Sequence, residues 1–273
     1  MLLCQGVFYK VVIADRLVSY VTTVTNGYET YSALTLWAAS FLYVIELYCD
    51  FAGYSMVVIA IGEMFGFRID DNFRRPFFSM TVREFWNRWH ISLGRWLRDY
   101  VYIPLGGNRN GKVRKIINIL IVYIVSGIWH NNTINYIVWG LLNGILVALS
   151  PGNLRNKMSQ VASTFFTFIC FVLTMTIFRI DGIVNATRYI LKMFTDVHFG
   201  MQYFIELVMP FSGDYSSVSK CLVIILFICI SFIIEYREER RLNTNNYRKN
   251  VFYVMAILLF GLLGESSFMY AIF

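Results

Sequence analysis

Residues 116–150 have the sequence IINILIVYIVSGIWHNNTINYIVWGLLNGILVALS, and this stretch decides the fold class. Two apolar runs, 116–129 and 136–149, flank a polar centre at 130–135. As a helix that rises about 1.5 Å per residue, each run is ~21 Å long, which is shorter than a ~30 Å hydrocarbon core. Polar groups at membrane depth must face protein or a cavity. The stretch therefore predicts a re-entrant helix pair that holds His130 within the depth of a membrane.

The composition of the whole chain agrees with a membrane protein. Its 273 residues are 57% hydrophobic, 18% aromatic and only 15% charged. A soluble domain has about 45–50% apolar and about 25% charged residues, so this chain lacks the polar side chains to coat a surface in water. Disorder, fibrous repeats and a disulfide scaffold are excluded by the same numbers and by the scattered cysteines. Further apolar runs at 161–180, 218–234 and 251–264 predict an all-α, polytopic membrane protein.

The stretch 33–67 is apolar but interrupted near its middle by Asp50 and Gly53. As one helix it would be about 50 Å long, which exceeds the thickness of a bilayer core. We expect two spans that meet near residues 49–53, or one span followed by a bent helix.

The segment 1–21 places three charged side chains, Lys10, Asp15 and Arg16, at apolar spacing. This pattern is not that of a secretory signal. It predicts an amphipathic or interfacial helix.

The charge of the chain is concentrated in one window. Residues 68–115 carry eleven basic and four acidic residues, whereas the rest of the chain carries thirteen of each. Between residues 73 and 102 arginines alternate with phenylalanine, tryptophan and tyrosine, and so many guanidinium groups would cost several kcal/mol each at the bilayer centre. The window predicts a cytoplasmic, interfacial segment whose partner is membrane lipid and not nucleic acid.

The basic loops also predict an orientation. Loops 109–115, 155–157 and 237–249 are basic, and segment 181–217 is not. The positive-inside rule places the three loops in the cytoplasm and 181–217 outside.

His130 is the residue best suited to chemistry. A neutral histidine in a medium of low dielectric constant can take a proton from a hydroxyl and return it to a leaving group near pH 7. Acyl transfer also needs a donor for the developing oxyanion, and Trp129, Asn131 and Asn132 are candidates for polar contacts. The alternative is a hydrogen-bonded histidine that ties two helices together. No spacing of Cys and His suits zinc, so no metal is expected.

Two strings identify a resemblance to a known family. They are YCDFAGYSMVVIAIGEMFGFRIDDNFRRPFFSMTVREFWNRWHISLGRWLRDYVYIPLGGNRNGK, residues 48–112, and GIWHNNTINYIVWGLLNG, residues 127–144. The chain resembles the membrane-bound O-acyltransferase (MBOAT) family from residues 6–17 to residues 265–273. Within the family it is similar to the bacterial polysaccharide branch. The IPLGGNR ending favours alginate-type O-acetylation over D-alanylation of lipoteichoic acid.

The resemblance implies transfer of an acyl group, expected to be acetyl, from a cytoplasmic thioester toward an extracytoplasmic polysaccharide. It implies a ring of helices around a tunnel in the cell membrane, with His130 as the catalytic histidine and His90 as the second family histidine. We expect acetyl-CoA or another acyl thioester as co-substrate, no tightly bound cofactor, and an extracytoplasmic acyltransferase or polysaccharide-modifying protein as partner. The supporting residues expected are Trp129, Asn131, Asn132 and Asp50, and those expected to attract the anionic donor are Arg98, Arg109, Lys112 and Arg114.

Family members carry several spans before the element at residues 6–17, so the resemblance also implies that N-terminal spans are missing. We expect residues 1–273 to form a single membrane domain, with 68–115 as its interfacial segment and 116–150 as its intramembrane histidine unit. Two other functions stay open at this point. One is a transporter or lipid-handling channel without covalent chemistry, and the other is an inactive fragment that acts as an assembly partner.

Overall fold

The protein is described by a computed structural model over residues 2–150, 157–198, 200–211, 217–240 and 246–261. In these ranges the regular elements are helices, apart from one antiparallel bridge between Phe73 and Trp89, which confirms the all-α prediction. The α-helices in chain order are α1 Leu2–Phe8, α2 Asp15–Asn26, α3 Ala33–Met64, α4 Val82–Arg88, α5 Ile91–Leu97, α6 Gly111–His130, α7 Ile134–Leu149, α8 Lys157–Arg179, α9 Ile183–Thr195, α10 Met201–Val208, α11 Ser217–Glu239 and α12 Asn246–Phe260.

Four of the described helices are long and apolar enough to cross a membrane. They are Ala33–Met64, Gly111–His130, Gln160–Arg179 and Ser219–Glu239. The last two coincide with the crossings predicted at 161–180 and 218–234. The predicted orientation stays a prediction, and parts of the basic loops at 155–157 and 237–249 lie outside the described residues.

The chain forms two compact units. Unit 1 comprises the described residues of 1–70 and 189–273, and unit 2 comprises those of 71–188. The assignment of residues 1–273 to a single domain stays a prediction.

In unit 1, α3 is one unbroken helix of 32 residues, so the expected meeting of two spans near residues 49–53 is wrong. Asp50 is 2% exposed and accepts a hydrogen bond from Lys10 Nζ at 2.7 Å, so its charge is compensated within the helix packing. A Cβ atom added at Gly53 would lie 2.7 Å from the Gly6 carbonyl oxygen. Asp50 and Gly53 therefore mark a close contact with α1 and the turn after it, and not a break in α3.

The N-terminal segment is also more deeply packed than predicted. A π-helical turn, Tyr9–Ala14, joins α1 to α2. Lys10 Nζ lies 2.8 Å from Asp15 Oδ1 as well as 2.7 Å from Asp50 Oδ1, and all three side chains are buried. An interfacial helix would expose these charges to water or headgroups, so the interfacial alternative is wrong for Lys10 and Asp15. The amphipathic alternative is confirmed by α2, which buries Leu17, Tyr20 and Val24 on one face and exposes Val18 and Ser19.

In unit 2, α6 and α7 form the helix pair predicted from residues 116–150, but the arms are unequal. Helix α6 begins at Gly111. Lys112, Arg114 and Lys115 therefore belong to its first turns and not to a loop. Its 20 residues span ~30 Å, so the prediction of a half-length first arm is wrong, whereas the 16 residues of α7 span only ~24 Å. The depth of His130 therefore no longer follows from arm length.

The two helices of this pair touch through their backbones. A Cβ atom added at Gly127 would overlap the Tyr136 carbonyl oxygen, and one added at Gly140 would overlap that of Tyr123. Close backbone contacts at glycine are typical of helices packed within membranes.

The Arg- and Trp-rich segment contains two helices of seven residues each, α4 and α5, which are too short to cross a bilayer. In its first part the aromatic rings pack inward: Phe85 and Trp89 are buried and both contact Phe171 of α8. In its second part Trp96 and Tyr100 are exposed. The location of residues 68–115 at the membrane interface stays a prediction.

Candidate active site

The described part of unit 2 brings the two predicted histidines close together. His130 is the last residue of α6, and His90 lies between α4 and α5. The ring of Trp129 contacts both imidazoles, with centroids 6.3 Å from that of His90 and 4.7 Å from that of His130. Two histidines that are far apart in the sequence therefore share one aromatic neighbour.

His130 is half-buried among aromatic rings that meet it nearly edge-on. Besides Trp129, these are Phe178 at 5.1 Å and Trp139 at 5.5 Å between centroids, with interplanar angles of 83° and 87°. Trp139 is 2% exposed and also contacts Phe178 and Trp86. The imidazole thus has an apolar wall from α7 and α8 on one side.

His90 is held in an uncommon backbone conformation, with φ 47° and ψ 54° in the left-handed region. Its Nδ1 atom lies 3.5 Å from Ser92 Oγ. Burial, and to a smaller degree the neighbouring His130, lowers the pKa of His90 to about 4. His90 is therefore neutral at pH 7 and has one ring nitrogen that can accept a proton.

The predicted supporting residues fall in different places. Trp129 contacts both histidines and is half exposed, whereas Asn131 and Asn132 lie exposed in the turn between α6 and α7. Asp50 belongs to unit 1, where it pairs with Lys10. The structure thus joins Trp129 to the histidines, and the supporting roles of Asn131, Asn132 and Asp50 stay predictions.

Two residues that sequence reasoning missed help to shape the site. Asn135 is buried and its Nδ2 donates to the carbonyl oxygens of Ile177 at 3.2 Å and Ile180 at 2.6 Å, which ties α7 to the end of α8. Trp139 follows one turn later on the same face of α7. The i, i+4, i+8 spacing of Asn135, Trp139 and Asn143, all buried, is the signal that could have found this face.

The predicted donor-binding residues are exposed on unit 2. Arg98 forms an ion pair with Asp99 at 2.8 Å, and Arg109, Lys112 and Arg114 extend from the start of α6 and the segment before it. Their role as a donor site stays a prediction.

These features define a multi-pass helical membrane protein with two histidines in an aromatic enclosure. Residues 1–180 match the MBOAT, membrane-bound O-acyltransferase family, and the chain belongs to this family. The resemblance found in the sequence is thereby confirmed over these residues.

The similar proteins carry related names. The chain is 38% identical over 194 residues to the probable alginate O-acetylase AlgI of Pseudomonas syringae pv. tomato, covering 70% of this chain and 37% of that protein. It is 32% identical over 194 residues to the peptidoglycan O-acetyltransferase of Helicobacter pylori, covering 69% and 37%. It is 38% identical over 128 residues to the teichoic acid D-alanyltransferase of Streptococcus thermophilus, covering 43% and 30%. The matched part is less than half of each relative.

Proposed function

We propose that this protein is an acyltransferase of the cell membrane that moves an acetyl group from a cytoplasmic thioester toward a hydroxyl of an extracytoplasmic polysaccharide. The observation that carries the proposal is the pair of imidazoles, His90 and His130, joined by the ring of Trp129 in one compact unit. Membership of an O-acyltransferase family supplies the reaction class. The names of the relatives favour O-acetylation of a cell-envelope polysaccharide.

His130 acts as the general base in this proposal. As the acceptor oxygen attacks the thioester carbonyl, its proton moves to the neutral imidazole of His130. The new C–O ester bond forms, the C–S bond breaks, and the proton passes from the imidazolium to the departing thiolate sulfur. The apolar wall of Trp139 and Phe178 favours a neutral imidazole before the reaction and excludes water from the reacting atoms.

His90 assists the transfer from its own side of Trp129. Since its pKa is about 4, it stays neutral while His130 gains and loses a proton. A neutral imidazole adds no positive charge that would oppose protonation of His130. A neutral His90 can hydrogen-bond the substrates while His130 carries the transferred proton.

The basic side chains exposed before and within α6 favour an anionic donor such as acetyl-CoA, because opposite charge raises the local concentration of the ligand. In this proposal a separate extracytoplasmic protein transfers the acetyl group to the polysaccharide.

The test is His130→Ala in the full chain, expressed in the bacterial membrane. Transfer from radiolabelled acetyl-CoA by isolated membranes is expected to fall by about 10²-fold or more, since a positioned base contributes about that much. The amount of protein in the membrane should not change. His198→Ala is the matched control, because His198 is exposed in unit 1 and should leave transfer intact. Equal transfer by His130→Ala and the parental protein would remove His130 from the mechanism.

A further inference from the structure

The backbone of His90 requires support from other residues. A residue other than glycine with positive φ is uncommon, and such conformations persist only where surrounding contacts determine them. His90 has φ 47°, and its side chain makes no capping hydrogen bond although it is the N-cap residue of α5. Helix N-caps usually use their own side chain to satisfy the first backbone N–H groups. Another residue must do this for α5.

That residue is Asn72, which lies before α4 in the chain. Its carbonyl oxygen accepts a hydrogen bond from Ile91 N at 3.0 Å, and its Oδ1 accepts one from Ser92 N at 3.1 Å. Asn72 therefore caps the first two N–H groups of α5 from outside the helix. The imidazole of His90 makes no capping hydrogen bond and contacts the ring of Trp129.

The segment that carries Asn72 is itself fixed to the connection between α4 and α5. Arg74 N donates to the Arg88 carbonyl oxygen at 2.9 Å, and the rings of Phe73 and Trp89 meet edge-on with centroids 5.0 Å apart. Phe73 and Trp89 also form the antiparallel bridge of unit 2. Since Trp89 is buried, this short pairing anchors Asn72 to the core of the unit.

We propose that Asn72 is a positioning residue that fixes the orientation of the His90 imidazole for acyl transfer. The inference rests on the proposed function of this site. Asn72 acts through His90: it caps α5 in place of the His90 side chain and so supports the strained turn that orients the imidazole.

The first test compares Asn72→Ala, Asn72→Asp and the control Asn87→Ala, whose side chain is exposed on α4. Initial rates of transfer from radiolabelled acetyl-CoA are measured in membranes and divided by the amount of protein. We expect kcat to fall about 10- to 100-fold for Asn72→Ala with the donor KM unchanged, because a misplacement near 1 Å has effects of about that size. Asn72→Asp keeps an acceptor for Ser92 N and should recover most of the rate. A normal kcat for Asn72→Ala overturns the proposal.

A double-mutant cycle separates positioning from general loss of structure. If Asn72 acts through His90, the variant Asn72→Ala/His90→Ala should lose no more activity than His90→Ala alone. Additive losses would show that Asn72 supports the fold and not the histidine, and would overturn the proposal.

A second measurement does not depend on activity. Diethyl pyrocarbonate modifies neutral imidazoles, and peptide mass spectrometry of the full chain gives the rate at each histidine. Asn72→Ala should raise the rate at His90 several-fold, while His198 serves as an exposed internal reference that does not change. Equal rates at His90 overturn the proposal. If His90→Ala leaves acetyl transfer unchanged, the role proposed for His90 in catalysis fails. The labelling rate at His90 still decides whether Asn72 fixes the orientation of its imidazole.

Discussion

The buried ionisable groups of the two units have opposite kinds of neighbour. In unit 1, Lys10 is paired with Asp15 and Asp50 at 2.7–2.8 Å, and Glu235 accepts hydrogen bonds from the hydroxyl groups of Tyr9 and Tyr48, both at 2.7 Å. In unit 2, by contrast, His90 and His130 contact aromatic rings. Charges held at contact distance stabilise one arrangement of the helices that carry them, whereas a neutral imidazole is a group that can accept and return a proton. The first arrangement is typical of a structural cluster and the second of a chemical site.

The strongest test of this comparison is Lys10→Met. It removes the Lys10 ammonium from beside the buried carboxylates of Asp15 and Asp50, and breaking such a pair costs about 3–5 kcal/mol. We expect the protein to lose thermal stability in detergent and to decline in the membrane, while any molecules that remain folded retain acetyl transfer.

The control for this change is Lys192→Met. Lys192 pairs with Asp196 at 2.9 Å, but both side chains are partly exposed, so the loss should be about 1 kcal/mol or less. Equal melting temperatures of Lys10→Met and the parental protein would show that the cluster in unit 1 is not structural.

A smaller effect is expected from Trp139→Phe. Its indole N–H has no hydrogen-bond partner among the described residues, so the substitution removes ring area beside His130 and no hydrogen bond within that part of the chain. The kcat for acetyl transfer should fall about tenfold through the looser fit around the imidazole, with the donor KM unchanged.

Trp86→Phe is the matched control, because the Trp86 ring contacts Trp139 and its N–H is likewise buried. Both variants should lose similar thermal stability, and only Trp139→Phe should lower kcat. Equal kcat values for the two variants would contradict a specific role of Trp139.

The smallest effect concerns the donor. Replacing Arg109, Lys112 and Arg114 together by Gln should raise the apparent KM for acetyl-CoA about three- to tenfold and leave kcat unchanged, because exposed charges attract the donor without touching the reacting atoms. Raising the ionic strength should increase the KM of the parental protein more than that of the variant. An unchanged KM would reduce this basic surface to a signal for membrane topology.

The fold is largely predictable from composition and apolar runs, since the helices at 160–179 and 219–239 agree with the predicted crossings to within a few residues. Both errors arise where a charged side chain lies in or next to an apolar run. Asp50 resembles a helix interruption because its cation, Lys10, is remote in the sequence and no local pattern reveals it. The start of α6 resembles a loop because Lys112 and Arg114 are charged, although long basic side chains at a helix end can reach the interface.

The site is less accessible to prediction. His130 can be selected from its local surroundings, but the association of His90 with it comes from the family resemblance alone. Contacts between side chains that are remote in sequence depend on tertiary packing, and spacing reveals at most which residues share one face of a helix. Trp139 and Asn135 escape prediction because their role depends on which face of α7 meets α8.

The glycine contact between α6 and α7 sets how much error the site tolerates. Trp129 and His130 end one helix, Trp139 lies on the other, and between the helices backbone meets backbone at Gly127 and Gly140. Because no side chain lies in this contact, no change of rotamer can alter the distance between α6 and α7 at this point. The spacing of the rings around the His130 imidazole thus depends on glycine at both positions. A methyl group added at either one would push the two helices apart and change that spacing.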